Sequence, residues 1–129
     1  DLAAAGKTIS AATVGYIHRH KTAALFRAAA RLGAIAANAD ARALRALTGY
    51  GTNLGLAFQI TDDILDNAPR GKGKRNLDKT SCVSVYGLKN ARQRADARIR
   101  EAVAALKELK AHRTRPLIAL AKFIGQRMY

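Results

Sequence analysis

Apolar side chains recur at helical spacing from about residue 10 to residue 38. The stretch begins at Ser10, a residue type that caps helix N-termini, and its apolar stripe consists of Leu25, Ala29, Leu32 and Ala36. Steps of three and four residues place side chains on one helix face. We therefore expect one helix with this stripe buried. The polar HRHK segment, residues 18–21, is expected to bend or interrupt that helix.

A second helix is predicted from about Ala41 to Asn67. Its apolar stripe consists of Leu47, Tyr50, Leu54 and Phe58, and Pro69 ends the pattern. Gly51 and Gly55 lie four residues apart. Because glycine has no side chain, this face lets another helix approach closely.

Two further helices are predicted over residues 88–111 and 115–128. Their stripes consist of Ala95, Ile99, Ala102, Leu106 and Leu109, and of Leu117, Leu120, Ile124 and Met128. Thr114 is the predicted cap of the last helix, which places Pro116 in its first turn. Residues 68–80 are predicted to form an exposed basic loop. The expected fold is all-α, a helical bundle.

Composition supports this fold class. The chain has 129 residues, 49% of them hydrophobic, and only two prolines. This length suits one domain or a piece of one. The single cysteine, Cys82, cannot form an intrachain disulfide and is expected in the core. Without an apolar run long enough to span a bilayer, we expect a cytoplasmic protein with no membrane span.

The chain is strongly cationic. Lys and Arg number 23 against 9 Asp and Glu, giving a formal net charge of +14. Such a surplus attracts anionic partners, and phosphates are the obvious candidates. Three Phe, four Tyr and no Trp are few for stacking single-stranded bases. We therefore expect no specific nucleic-acid ligand, although backbone contacts stay open.

Three of the nine acidic residues fall within five positions, in the stretch FQITDDILDN. Asp62 and Asp66 continue the Leu54 to Phe58 line in steps of four, while Gln59 and Asp63 share the same broad face. Clustered carboxylates repel one another, and an all-oxygen set suits Mg²⁺ bridging to substrate phosphates. The alternative is an acidic surface patch that merely offsets surrounding positive charge.

Other polar groups near this cluster allow further interpretations. The basic residues after the cluster, Lys72, Lys74, Arg75 and Lys79, could reach phosphate oxygens. His18 and His20 diverge on a helix, which favours a polar surface or substrate-facing role over a metal site.

Longer segments resemble a known family. IHRHKTAALFRAAARLGA (17–34), YGTNLGLAFQITDDILD (50–66), GLKNARQRADARIREAVAALKELK (87–110) and FIGQRMY (123–129) are similar to the C-terminal half of trans-isoprenyl diphosphate synthases, bacterial farnesyl diphosphate synthases above all. The resemblance implies the C-terminal portion of the isoprenoid synthase fold. It also implies a prenyltransferase that ionises an allylic diphosphate and adds the carbocation to isopentenyl diphosphate.

The resemblance assigns roles to individual residues. Asp62, Asp63 and Asp66 match the second aspartate-rich motif, which helps hold Mg²⁺ against the allylic diphosphate. Lys21 and Thr22 match a pair that contacts that diphosphate, and Gln59 matches the glutamine before the motif. Lys72 and Lys79 match loop lysines of the same site. The loop is shorter than usual and KTSCVSVYG departs from the family pattern, which puts Lys79 in doubt.

The family's first aspartate-rich motif and its isopentenyl diphosphate site have no match here. We therefore expect a chain that is inactive alone, with a missing N-terminal half as its partner and a homodimer as the complete protein. Two alternatives stay open: a non-catalytic helical subunit that pairs with that half in trans, and a basic nucleic-acid-binding domain.

Overall fold

The computed structural model describes residues 10–67 and 81–129, and every regular element in these ranges is helical. The elements are α1 (Ala11–His18), a π-helical turn (Arg19–Ala23), α2 (Ala24–Ala36), α3 (Ala41–Asp66), α4 (Cys82–Ala105) and α5 (Ala111–Gln126). The predicted all-α fold is confirmed. The predicted basic loop, with Lys72 and Lys79, lies outside the described residues.

The first predicted helix is three elements. The π-helical turn coincides with the polar HRHK segment and separates α1 from α2. A π turn adds a residue to the helical repeat, so it rotates the faces of the helices on either side. The expected interruption is therefore present, and it places α1 and α2 in different registers.

The buried face of α2 is not the predicted one. Leu25 and Leu32 are 69% and 66% exposed, whereas Ala23 and Ala34 are buried. Ala29 and Ala36, the other members of the predicted stripe, are also exposed. The prediction was wrong because the alanine-rich helix has two apolar faces at helical spacing, and the face that carries Phe26 and Ala30 meets α3.

Glycines on α3 allow the π-helical turn and α2 to approach this helix closely. A Cβ on Gly51 would lie 2.8 Å from the carbonyl oxygen of Phe26, and one on Gly55 would lie 2.6 Å from the Cα of Ala23. Real Cβ atoms do not approach other atoms this closely, so only glycine permits the observed packing. The predicted close approach of a helix at these glycines is confirmed.

Helix α3 is the central element, with α2 on one side and α4 and α5 on the other. Two clusters of buried residues form the core along it. One consists of Tyr50, Leu54, Ala102, Leu106, Ala121 and Ile124. The other consists of Val14, Ile60, Ile64, Cys82, Ala91, Ala95 and Met128, and it lies at the end of α3 that carries the aspartates. Burial of each large aliphatic side chain contributes about 1.5–3 kcal/mol.

The last two helices differ from their predicted bounds. Helix α4 begins at Cys82, bends at Gly87, whose φ is 76°, and ends at Ala105. Beyond Ala105 the chain forms an irregular turn, from which the buried Leu106 and the partly buried Leu109 face the core. The helical spacing of apolar residues therefore extends past the end of the helix.

Helix α5 begins at Ala111, so Thr114 lies inside it instead of capping it. Its hydroxyl donates to the carbonyl of Ala111, and Pro116 lies in the second turn. None of the helices in the described part of the chain combines the length and apolar composition needed to cross a membrane.

Candidate functional site

The C-terminal end of α3 presents its three aspartates in different directions. Asp66 is exposed, the Asp62 side chain is 35% exposed, and the Asp63 side chain is 13% exposed. Consecutive helix positions are rotated by about 100°, so Asp62 and Asp63 cannot share one direction. Asp62 and Asp66 lie one turn apart and form the accessible pair.

Asp62 lies near both a positive charge and two negative charges. Its Oδ1 is 3.6 Å from Nη1 of Arg127, which follows α5. Burial raises the pKa of Asp62, Arg127 opposes that rise, and the charges of Asp66 and Asp63 add to it. A cation bound at this end of α3 would relieve both the carboxylate repulsion and the cost of partial burial.

Asp63 points into the protein. Its Oδ2 accepts a hydrogen bond of 2.6 Å from the backbone N–H of Cys82 and lies 3.1 Å from Nε2 of His18. Its Oδ1 accepts a hydrogen bond of 3.2 Å from Nε2 of Gln59. The carboxylate therefore joins α1, α3 and the beginning of α4.

The π-helical turn brings Thr22 to the same end of α3. The Thr22 hydroxyl donates a hydrogen bond of 2.5 Å to Oε1 of Gln59, whose amide in turn donates to Asp63. Lys21, the preceding residue, is exposed on the same turn. The structure thus joins Thr22, Gln59 and Asp63 in one hydrogen-bonded chain.

The accessible carboxylates of Asp62 and Asp66 could hold a divalent metal ion. Among residues 10–67 and 81–129, no three His, Cys, Asp or Glu side chains are grouped closely enough to hold a metal ion. Mg²⁺ keeps several waters and is commonly bound through one or two carboxylates together with substrate phosphates. Asp62 and Asp66 provide such a pair, in contrast to an enclosing cage of protein ligands.

Sequence reasoning misplaced His18 and missed Arg127. His18 is only 6% exposed, so the predicted polar-surface role is wrong for this residue, and the substrate-facing role stays a prediction. Its spacing of four residues from the buried Val14 was the available signal. Arg127 pairs with Asp62 and its guanidinium lies 5.6 Å from the centre of the Phe58 ring. Nothing local in the sequence joins residues so far apart in the chain.

Cys82 is a core residue, as predicted. It is 2% exposed, and burial, reinforced by the charge of Asp63, raises the pKa of its thiol to about 11 despite the opposing charge of Arg94. A thiol that stays protonated at neutral pH is a poor nucleophile. Cys82 therefore contributes packing and its backbone N–H to the site.

Comparison with known proteins assigns the chain to a family. The sequence profile of the polyprenyl synthetase family matches residues 1–120. The chain is 43% identical to farnesyl diphosphate synthase of Escherichia coli, over 98% of this chain and 46% of that protein. It is 37% identical to geranylgeranyl pyrophosphate synthase 12 of Arabidopsis thaliana, over 87% of this chain and 33% of that protein.

A solved structure agrees with these sequence relatives. The fold matches a crystal structure provisionally identified as a farnesyl-diphosphate synthase from Marinomonas sp. MED121, with a TM-score of 0.80 and 32% identity. The match covers 96% of this chain and 43% of that one. The chain thus spans less than half the length of these relatives, and it belongs to the polyprenyl synthetase family.

Proposed function

We propose that this chain forms part of a magnesium-dependent prenyltransferase that condenses an allylic diphosphate with isopentenyl diphosphate. The observation that carries the proposal is the end of α3, where the accessible pair Asp62 and Asp66 lies beside the hydrogen-bonded Thr22 and Gln59. Relatives from bacteria and plants that align over most of the chain are named farnesyl and geranylgeranyl diphosphate synthases.

The residues at this end of α3 have different proposed roles in binding the diphosphate. Asp62 and Asp66 would hold Mg²⁺, which when bound offsets the negative charge that grows on the departing diphosphate. Lys21, on the exposed side of the π-helical turn, adds positive charge next to Thr22. Lys72 and Lys79, which lie outside the described residues, are proposed to contact the same diphosphate.

The apolar end of the substrate also needs a surface. Phe58 lies one turn before Asp62 on α3, and its ring centre is 5.3 Å from that of Phe26 on α2. Both rings are only partly buried. We assign to them the wall along which the prenyl chain extends away from the carboxylates, because apolar side chains next to a charged end suit an amphipathic substrate.

The chain supplies only part of the catalytic site. Leu25, Leu32 and Ile35 on α2 are more than half exposed, so a substantial apolar face has no cover within the described residues. Faces of this kind mark interaction surfaces. The proposed cover is the N-terminal half of the synthase domain, which brings the first aspartate-rich motif, and the proposed complete enzyme is a homodimer.

Substitution of Asp62 tests the proposal in a chimera of this chain with the N-terminal half of the E. coli relative. With Mg²⁺, geranyl diphosphate and isopentenyl diphosphate, Asp62→Ala should lower kcat by several orders of magnitude because it removes a metal ligand. The matched control is Glu108→Ala, which removes an exposed carboxylate from a surface pair with Arg42. Near-normal activity of Asp62→Ala would refute the metal role.

A further inference from the structure

Asp63 differs from Asp62 and Asp66 because protein groups surround its carboxylate. The backbone N–H of Cys82, the imidazole of His18 and the amide of Gln59 all lie within 3.2 Å of its oxygens. An ionised carboxylate accepts at about four lone-pair positions; two of these accept hydrogen bonds from Cys82 and Gln59, and the His18 ring lies against Oδ2 as well. Few lone-pair positions of the Asp63 carboxylate are therefore left to bind a metal ion.

The hydrogen bond to Cys82 is a helix cap supplied from a neighbouring helix. The first N–H groups of a helix have no partner within it. In α4 the Ser81 side chain accepts from the N–H of Ser84, and Asp63 accepts from the N–H of Cys82. A negative charge at a helix N-terminus is also favoured by the helix dipole. Asp63 therefore stabilises the beginning of α4.

Two other parts of the site depend on the same carboxylate. Helix α3 ends at Asp66 and α4 begins at Cys82, so the Asp63 to Cys82 hydrogen bond holds the end of α3 against the beginning of α4. Asp63 also requires the NH₂ of Gln59 to face it, because an ionised carboxylate only accepts. The amide oxygen of Gln59 is thereby turned toward the hydroxyl of Thr22.

We propose that Asp63 is a positioning residue that caps α4 and orients Gln59, while metal binding falls to Asp62 and Asp66. The assignment of the metal to those two rests on the proposed function, whereas the capping role does not. Exposure supports the division: the Asp63 side chain is 13% exposed and that of Asp62 is 35%. A magnesium ion that keeps several waters needs the more open position.

Amide hydrogen exchange in the 129-residue chain tests the capping role. Asp63→Ala should speed exchange of the Cys82 N–H and of the following turn by about tenfold or more, since a hydrogen bond to a charged group is lost. Asp63→Asn keeps one acceptor oxygen and should stay within about threefold of the wild type. Asp62→Asn, the control, should leave these rates unchanged. Unchanged exchange in Asp63→Ala would overturn the proposal.

The orientation of the Gln59 side chain can be measured separately from the capping of α4. In ¹H–¹⁵N NMR spectra, the side-chain NH₂ signals of Gln59 should move in Asp63→Ala toward those of a solvent-exposed amide, which loss of the α4 cap alone would not cause. Signals that keep their wild-type positions would contradict the orienting role.

Metal binding separates the roles of the three aspartates. With Mn²⁺ as the probe and inorganic diphosphate present, Asp62→Asn should weaken binding by at least about tenfold and Asp63→Asn by less than about threefold. Equal loss in both variants would make Asp63 a ligand and overturn the division. If the wild type binds no Mn²⁺, the proposed magnesium function fails, and exchange at Cys82 still decides the capping role.

Discussion

At the scale of single residues, the sequence predicted which side chains lie at the end of α3 but not where each of them points. The spacing of Asp62 and Asp66 along the Leu54 to Phe58 line correctly placed carboxylates at the end of a buried stripe. The inward direction of Asp63 could not be predicted, because its partners His18 and Cys82 come from other helices. Local spacing carries no information about such tertiary contacts.

Tyr50 offers a test of the core at the same scale. Its hydroxyl donates to the carbonyl of Leu117 over 2.8 Å, and burial raises its pKa to about 12. Tyr50→Phe should lower the free energy of unfolding by about 1 kcal/mol at pH 8, because the Leu117 carbonyl loses its partner.

The same substitution should change how stability depends on pH. Between the ordinary tyrosine pKa of about 10 and the folded value of about 12, only the unfolded state of the wild type releases the proton, so its stability falls as pH rises. Tyr50→Phe lacks this loss. Urea unfolding at pH 8 and pH 11.5 should show the difference between the two proteins shrinking or reversing, and a constant difference would contradict the raised pKa.

At the scale of elements, the helix positions and the bounds of α3 could be predicted, but the buried face of α2 and the ends of α4 and α5 could not. The predicted stripe on α2 failed because alanine makes both faces of that helix apolar, and the choice between them depends on glycines of α3. The end of α4 was predicted six residues late because Leu106 and Leu109 keep the apolar period within a turn. The spacing of apolar residues shows which side chains are buried. It cannot show where a helix ends, because residues in an irregular turn can also be buried.

The contact between α2 and α3 can be tested at Gly55. A Cβ there would lie 2.6 Å from the backbone of Ala23, so Gly55→Ala must push the helices apart and should destabilise the chain by about 1–3 kcal/mol. Gly33→Ala is the matched control, because a Cβ at Gly33 meets nothing within 4 Å. That variant should be stabilised by about 0.5–1 kcal/mol through helix propensity. Equal effects in thermal unfolding would refute the close packing.

At the scale of the whole molecule, the described part of the chain has one apolar face without a cover. Leu25, Leu32 and Ile35 lie on the side of α2 away from α3. The sequence predicted that a partner half is needed, from the lack of a second aspartate-rich cluster. The sequence could not predict that this face is exposed, because the exposed stripe has the pattern of a buried one. The net charge of +14 would attract an anionic ligand such as the proposed diphosphate.

The most direct test of the central claim is an elongation assay of the 129-residue chain, alone and co-expressed with the N-terminal half of the E. coli relative. With Mg²⁺, geranyl diphosphate and isopentenyl diphosphate, neither half alone should form farnesyl diphosphate, and the pair should form it in a manner that requires Asp62. Elongation at normal rates by the 129-residue chain alone would contradict the account.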